Sequence, residues 1–218
     1  MAKARQDATI SPRLITALDR TWAAIQDRHP DVPRVVITLG AGSGAGALKL
    51  GHFAPGRWQR GDGRLPELFV GGEGLARGGR NVLGTLLHEG THGVASVREI
   101  QDTSRQGRFH NARFRALAEE LGLTVAKAGT LGWSATSVPD ATAALYRGEL
   151  RRLDAALVAF RHAELGNGRG GRASSNNGLA ARCECGRRIR VSQTVLAAGP
   201  ITCGICGSDF EADQDSNP

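Results

Sequence analysis

Apolar side chains at Ile10, Leu14, Ile15, Leu18, Trp22 and Ile25 recur at helical spacing, which predicts a helix over 10–28. Ser11 is the expected cap and Pro12 falls in the first turn. The run Val35, Val36, Ile37, Thr38, Leu39 is rich in β-branched residues and closed by glycines, so it reads as a strand. Two further strands are expected over 48–58 and 65–70. After Gly79 the period becomes helical again, with Val82, Leu83, Leu86, Leu87 and Val94 on one stripe. A second helix is expected from near His110 to Leu121, stopped by Gly122. A third is expected over about 139–162, carrying Leu145, Leu150, Leu153, Leu157 and Phe160. Helices and a short sheet in this order give an α+β fold class.

The pattern then stops. Residues 163–181 have almost no large apolar groups and are rich in Gly, Ser and Asn, as a linker would be. The expected organisation is one domain over 1–165, a linker over 166–181, a small module over 182–210 and an acidic tail over 211–218. The length of 218 residues accommodates one domain of usual size plus such a module. No apolar stretch approaches the roughly 18–20 residues of a membrane span. The opening MAKARQDATISPR has no apolar core, so no signal peptide is expected. The glycine-rich stretch GAGSGAG over 40–46 is followed by no GK[ST] and fits no dinucleotide fingerprint, so a loop is expected there rather than a nucleotide site. Its position admits a place at the rim of a cleft.

Candidate chemistry sits on the helix after Gly79. His88-Glu89-Gly90-Thr91-His92 is HExxH. Histidines four apart on a helix lie one turn apart on one face and can share one zinc ion. Glu89 would then take a proton from zinc-bound water as general base. A catalytic zinc needs a third protein ligand. Ala95 and Arg98 exclude the metzincin arrangement. His110, 18 residues after His92 at the start of the next helix, is the favoured third ligand, with Glu119 or Glu120 as alternatives. His29, His52 and His162 have no such context and read as structural or surface residues. Tyr146, the only tyrosine, is a candidate for steadying the oxyanion.

All four cysteines fall near the C-terminus, as Cys183-Glu184-Cys185 and Cys203-Gly204-Ile205-Cys206. Close pairs of this kind suit a tetrahedral four-thiolate zinc site better than disulfides, and they agree with a reducing cytoplasm. The stretch between them is expected to form a hairpin around Ile189, Val191, Val195 and Ile201. The cofactor expectation is therefore two zinc ions, one catalytic and one structural.

Charge adds a partner class. The net charge is +7 and the pI about 10.0, a balance that favours anionic partners. Arg169, Arg172, Arg182, Arg187, Arg188 and Arg190 cluster around the start of the cysteine module, and such a group can contact DNA phosphates without reading sequence.

LLHEGTH followed by DTSRQGRFHNARFRALAEELGL resembles the SprT-like family, which includes the Spartan-type proteases. The resemblance covers roughly 10–165, with 182–210 similar to the zinc ribbon that many members carry. It implies a compact zincin-like metalloprotease domain, His88, His92 and His110 as ligands, Glu89 as base, and protein substrates associated with DNA. The alternative expectation is a zinc-stabilised adaptor in nucleic-acid transactions with little or no turnover. Hydrolysis of a non-peptide substrate at the same zinc is a third.

Overall fold

The computed structural model describes residues 9–44, 47–163 and 179–213. The chain divides into two compact units, Met1–Glu164 and Leu165–Pro218. Both are built from helices and small sheets, so the fold class is mixed α+β. No helix among the described residues is long and apolar enough to cross a membrane.

The first unit opens with α1 (Ile10–Arg28). Thr9 rather than Ser11 occupies the cap position, so the helix begins slightly earlier than its serine suggests. Its inward face, Leu14, Leu18, Trp22 and Ile25, is buried, and the Trp22 indole N–H donates to the Pro33 carbonyl at 3.0 Å. β1 (Val36–Gly40) follows. Where the glycine stretch reads as a loop, β2 (Ser43–Gly44) and β3 (Ala47–Leu48) instead pair as a small antiparallel ladder. β4 (Gly51–Arg60) and β5 (Gly63–Gly71) form a hairpin, β4 starting and ending later than the strand expected over 48–58 and β5 extending beyond 65–70 at both ends. The sheet order is β1-β5-β4, with β5 parallel to β1 and antiparallel to β4. Among the described strands β4 is therefore an edge.

A 3-10 turn (Gly72–Arg77) leads to α2 (Gly79–Val97). No side chain of its own caps this helix. Asp154 supplies the cap, accepting from the Gly79 N–H at 2.8 Å. A carboxylate there also suits the positive end of the helix dipole. Leu83, Leu86, Leu87 and Val94 of α2 sit in the centre of the core with Leu18, Ile25, Leu68 and Phe114. The apolar stripe of α2 is thus consumed by packing, which turns its polar stripe toward β4.

After α2, β6 (Thr103–Ser104) and β7 (Phe109–His110) pair as a short hairpin. α3 (Ala112–Glu120) starts two residues after His110, because the Asn111 side chain accepts from the Arg113 and Phe114 N–H groups as a cap should. β8 (Thr124–Ala126) and β9 (Ala135–Ser137) form another small ladder. The single long helix expected over 139–162 is two helices, α4 (Asp140–Leu145) and α5 (Arg147–Ala156). Leu153 and Ala156 are buried, while Leu145 and Phe160 are exposed. The periodicity held over α5 only, and His162 lies beyond any helix end.

The second unit is described from Leu179. β10 (Leu179–Arg182) begins within the stretch read as linker; the rest of that stretch, 166–178, lies outside the described residues. β10 is central, between β11 (Arg188–Val191) and β12 (Glu211–Ala212). The second strand expected around Val195 is instead α6 (Gln193–Ala198), capped by the Ser192 hydroxyl. Glu211 and Ala212, read as the start of a tail, complete the sheet, and 214–218 lie outside the described residues.

Candidate metal centres

Two groups of side chains could hold a metal ion, His88 with His92 and His110, and the four cysteines. Within each group the ligand atoms all lie within 4.8 Å of one another.

The histidine group is assembled by three elements. α2 presents His88 and His92 one turn apart, with ring centroids 5.2 Å apart. The β6–β7 hairpin carries His110 back to them, its ring 5.1 Å from each. Phe114 of α3 packs against all three rings at 4.4–4.9 Å and forms their floor. The Nε2 atoms of His92 and His110 are 3.2 Å apart. Two imidazole nitrogens on a tetrahedral zinc would stand about 3.4 Å apart at ordinary Zn–N lengths. The opposite ring nitrogens are all engaged. Nδ1 of His92 meets Asp102 Oδ2 at 2.6 Å, Nδ1 of His88 meets Thr136 Oγ1 at 3.1 Å, and Nδ1 of His110 faces the Leu131 carbonyl at 3.4 Å. Partners of this kind fix ring orientation and tautomer and leave each Nε2 free to bind. The donor set fits a borderline-soft divalent cation.

The electrostatics of His88 and His110 agree, and those of His92 run the other way. Burial, with His92 and His110 nearby, pushes His88 down to about 3, and burial also lowers His110. Both are neutral near pH 7, as ligands must be. Burial works against the charged form of His92, but the Asp102 hydrogen bond and nearby Glu89 carry it above its ordinary value.

Glu89 lies beside this cluster and is buried. Its Oε2 accepts the Phe53 N–H at 2.9 Å, a donor that points off the free edge of β4. Oε1 makes no hydrogen bond among the described residues. Gly51 makes this approach possible, since a Cβ there would stand 2.8 Å from Glu89 Oε1 and 2.7 Å from the Thr85 methyl. Burial raises the Glu89 pKa.

The cluster opens onto a cleft of about 1620 Å³, lined by His52 and Pro55 of β4, by Thr136 and Val138, and by Gly42 and Ser43 of the glycine stretch. That exceeds the roughly 300–1,000 Å³ of a small-ligand pocket and suits a polymer. The rim segment is pinned from below. Buried Glu73 accepts the Gly42 and Ser43 N–H groups and the Ser43 hydroxyl, and pairs with Arg161 at 2.9 Å. These bonds, the Ser43 hydroxyl's foremost, hold Glu73 down to about 2.

Several expectations are corrected here. Glu119 is paired with Arg115 and Glu120 with Arg98, each at 2.8 Å, and the group that converges on His88 and His92 contains His110 and neither glutamate. Tyr146 is buried in the core beneath the Arg28 guanidinium and does not line the cleft, so it cannot steady an oxyanion there. Asp102, Thr136 and Phe114 were not singled out from sequence. The one available signal was an aspartate in the loop between the second and third histidines.

In the second unit, Cys183 and Cys203 are buried and Cys185 and Cys206 exposed. Sulfur separations are 3.2 Å for Cys183–Cys185 and 3.8 Å for Cys185–Cys203. Each pair ends in a turn closed by a glycine. Gly186 N–H donates to the Cys183 carbonyl and Gly207 N–H to the Cys203 carbonyl, both at 2.9 Å, with φ of +83° and +75°. The CxC turn spans one residue fewer than the CxxC turn, and in both the Gly that follows takes the left-handed conformation. The contact with Cys183 pushes Cys185 up to about 12, and Ser208 holds Cys206 down to about 6. Four thiols this close strongly resist joint ionisation unless a cation is among them.

Of the arginines expected to meet DNA, Arg182 and Arg188 are drawn to Asp213 at 2.9 and 3.5 Å, and Arg187 turns to the Cys203 sulfur at 3.8 Å. Arg190 has no partner among the described residues, and Arg169 and Arg172 lie outside them. No family model, no curated protein and no solved structure matches the chain.

Proposed function

We propose that the chain is a zinc-dependent metallopeptidase of the zincin type, with a four-cysteine zinc ribbon behind it. The observation that carries this reading is the convergence of three imidazoles, each oriented through its Nδ1, with a buried carboxylate beside them in an open cleft. His88, His92 and His110 would hold the catalytic zinc, and Cys183, Cys185, Cys203 and Cys206 the structural one. The catalytic zinc would polarise the scissile carbonyl and acidify a water.

The chain's own residues supply the rest. Phe53 N–H fixes one oxygen of Glu89 and leaves Oε1 to take the proton of the attacking water. Burial raises the affinity of the carboxylate for that proton, so Glu89 can hold it and deliver it to the leaving amine. The outer edge of β4 lines the cleft, its Phe53 N–H taken by Glu89, and an extended peptide can add to such an edge through the main-chain groups that remain. Pro55 limits the register, because it offers no N–H there.

The resemblance to SprT-like proteases supports proteins associated with DNA as substrates, and thiolate ligands fit a reducing cytoplasm. The test is cleavage of a basic protein, and of the chain itself, by zinc-loaded protein with and without single-stranded DNA, compared with Glu89→Gln. Cleavage that disappears in Glu89→Gln supports the reading. No cleavage by folded, zinc-loaded wild type would move the chain to the adaptor class.

A further inference from the structure

The β4–β5 hairpin changes character halfway along. Near its base Phe53, Ala54 and Leu68 are buried. After an irregularity between Ala54 and Trp58 the ladder continues as Trp58↔Leu65, Gln59↔Arg64 and Arg60↔Gly63. Every residue from 55 to 64 is exposed, so both faces of this outer half stand in solvent. A two-stranded ribbon with neither face covered is marginal by itself.

The side chains on it are not those of a simple solvated turn. Trp58 is 41% exposed, and its indole N–H donates to Glu67 Oε2 at 2.9 Å, which holds the ring in place. Arg60, two residues on, shares its face of the ribbon. Arg64 lies on the other face, its stem beside Gly56, whose φ is +62°. Arg57, Arg60 and Arg64 make no hydrogen bond or ion pair with any described residue. Asp62 is the only acid between 55 and 64. In contrast Arg98, Arg115, Arg152 and Arg161 of the same unit are all paired with carboxylates.

We infer that the outer half of this hairpin, residues 57–64, is a contact surface for single-stranded nucleic acid. A fixed, exposed indole is a stacking platform for an unpaired base, and free guanidinium groups on both faces can follow the phosphates. The second unit is a poorer candidate. Arg182 and Arg188 are drawn to Asp213, and its one aromatic, Phe210, is buried. Because Pro55 and Glu67 of the same hairpin line the cleft, a strand held here lies at the rim of the histidine cluster. The inference does not depend on proteolysis.

The experiment uses the full chain, zinc-loaded and carrying Glu89→Gln so that nothing is cleaved. Fluorescence anisotropy follows a labelled oligothymidine of about 12 nucleotides. Trp58→Ala is expected to weaken binding about tenfold, with Trp58→Phe recovering most of it, because a phenyl ring still stacks. Replacing Arg57, Arg60 and Arg64 by Gln is expected to reduce the slope of log affinity against log salt by about 2, at roughly 0.7 per phosphate. Melting curves of each variant confirm that the first unit is folded. Three results would overturn the inference: no binding by the parent protein, binding insensitive to the hairpin substitutions but lost with Arg187→Gln and Arg190→Gln, or an equally strong hairpin-dependent affinity for a poly-glutamate peptide. The last would mark an acidic protein as the partner.

Discussion

The histidine and cysteine clusters could each hold a metal ion, but they stand on different amounts of protein. Around His88, His92 and His110 a core of 25 buried residues is complete without the ligands. The imidazoles are aimed by Asp102, Thr136 and Leu131 before any ion arrives. Around the cysteines the buried cluster is Ala181, Cys183, Cys203 and Phe210, and half of it is ligand. In the first unit a metal would be added to a fold. In the second a metal would be much of what makes the fold. A chemical site needs that first arrangement, because its open position and its carboxylate must stay in place as groups enter and leave.

The largest test of this difference is metal removal. Loss of a structural zinc removes on the order of 10 kcal/mol of folding free energy from a small module. Chelation, or Cys203→Ser, is expected to unfold the second unit and leave the first folded. All three tryptophans, Trp22, Trp58 and Trp133, lie in the first unit, so their fluorescence melt should persist while amide signals of 179–213 collapse. A joint collapse would erase the distinction.

Next in size is Glu89→Gln. Peptidase activity is expected to fall at least about a hundredfold, the usual range for removing a general base. Zinc stoichiometry should remain at two per chain, since the proposed site assigns Glu89 no bond to the metal. Loss of one zinc would show that Glu89 helps hold the ion.

Asp102→Asn sharpens the claim that the histidines are aimed in advance. Affinity of the first site for zinc is expected to fall about 10–100-fold by competition with a chromophoric chelator, while the cysteine site is unchanged. An unaltered affinity would mean that the 2.6 Å contact does not orient His92 for metal.

The last comparison is the acid sensitivity of the metal-free first unit. His88 is pushed from 6.5 to about 3 in the folded state, so between those values the unfolded chain holds a proton that the folded chain does not. Stability is therefore expected to fall as pH drops through 6.5 toward 3. His88→Asn should flatten that part of the profile of melting temperature against pH. Glu73, lowered from 4.5 to about 2, adds a further loss as pH falls from 4.5 toward 2, where its carboxylate takes up a proton and releases the rim at Gly42 and Ser43.

Much of this was visible in the order of residues. HExxH on an apolar stripe announces two candidate ligands with a carboxylate beside them, because helical geometry alone brings positions four apart together. Asn111 just before α3 fixes where that helix starts and so leaves His110 outside it. The paired cysteines with their following glycines announce two knuckles. Other elements were misread for physical reasons. Leucine periodicity over 139–162 could not show that the chain breaks at Tyr146, whose ring is taken into the core. The stretch around Val195 follows a serine that caps a helix, and that local bond prevails over β-branched character.

The sequence by itself determined which side chains are candidates for ligands and base, and the two-unit organisation, since these depend on composition and short-range spacing. Only the tertiary structure shows that His110, and not Glu119 or Glu120, converges with His88 and His92. It also brought Asp102 to His92, Phe53 to Glu89 and the hairpin to the rim of the cleft. Those pairings join residues on separate elements, and only packing of one core decides which separate elements meet.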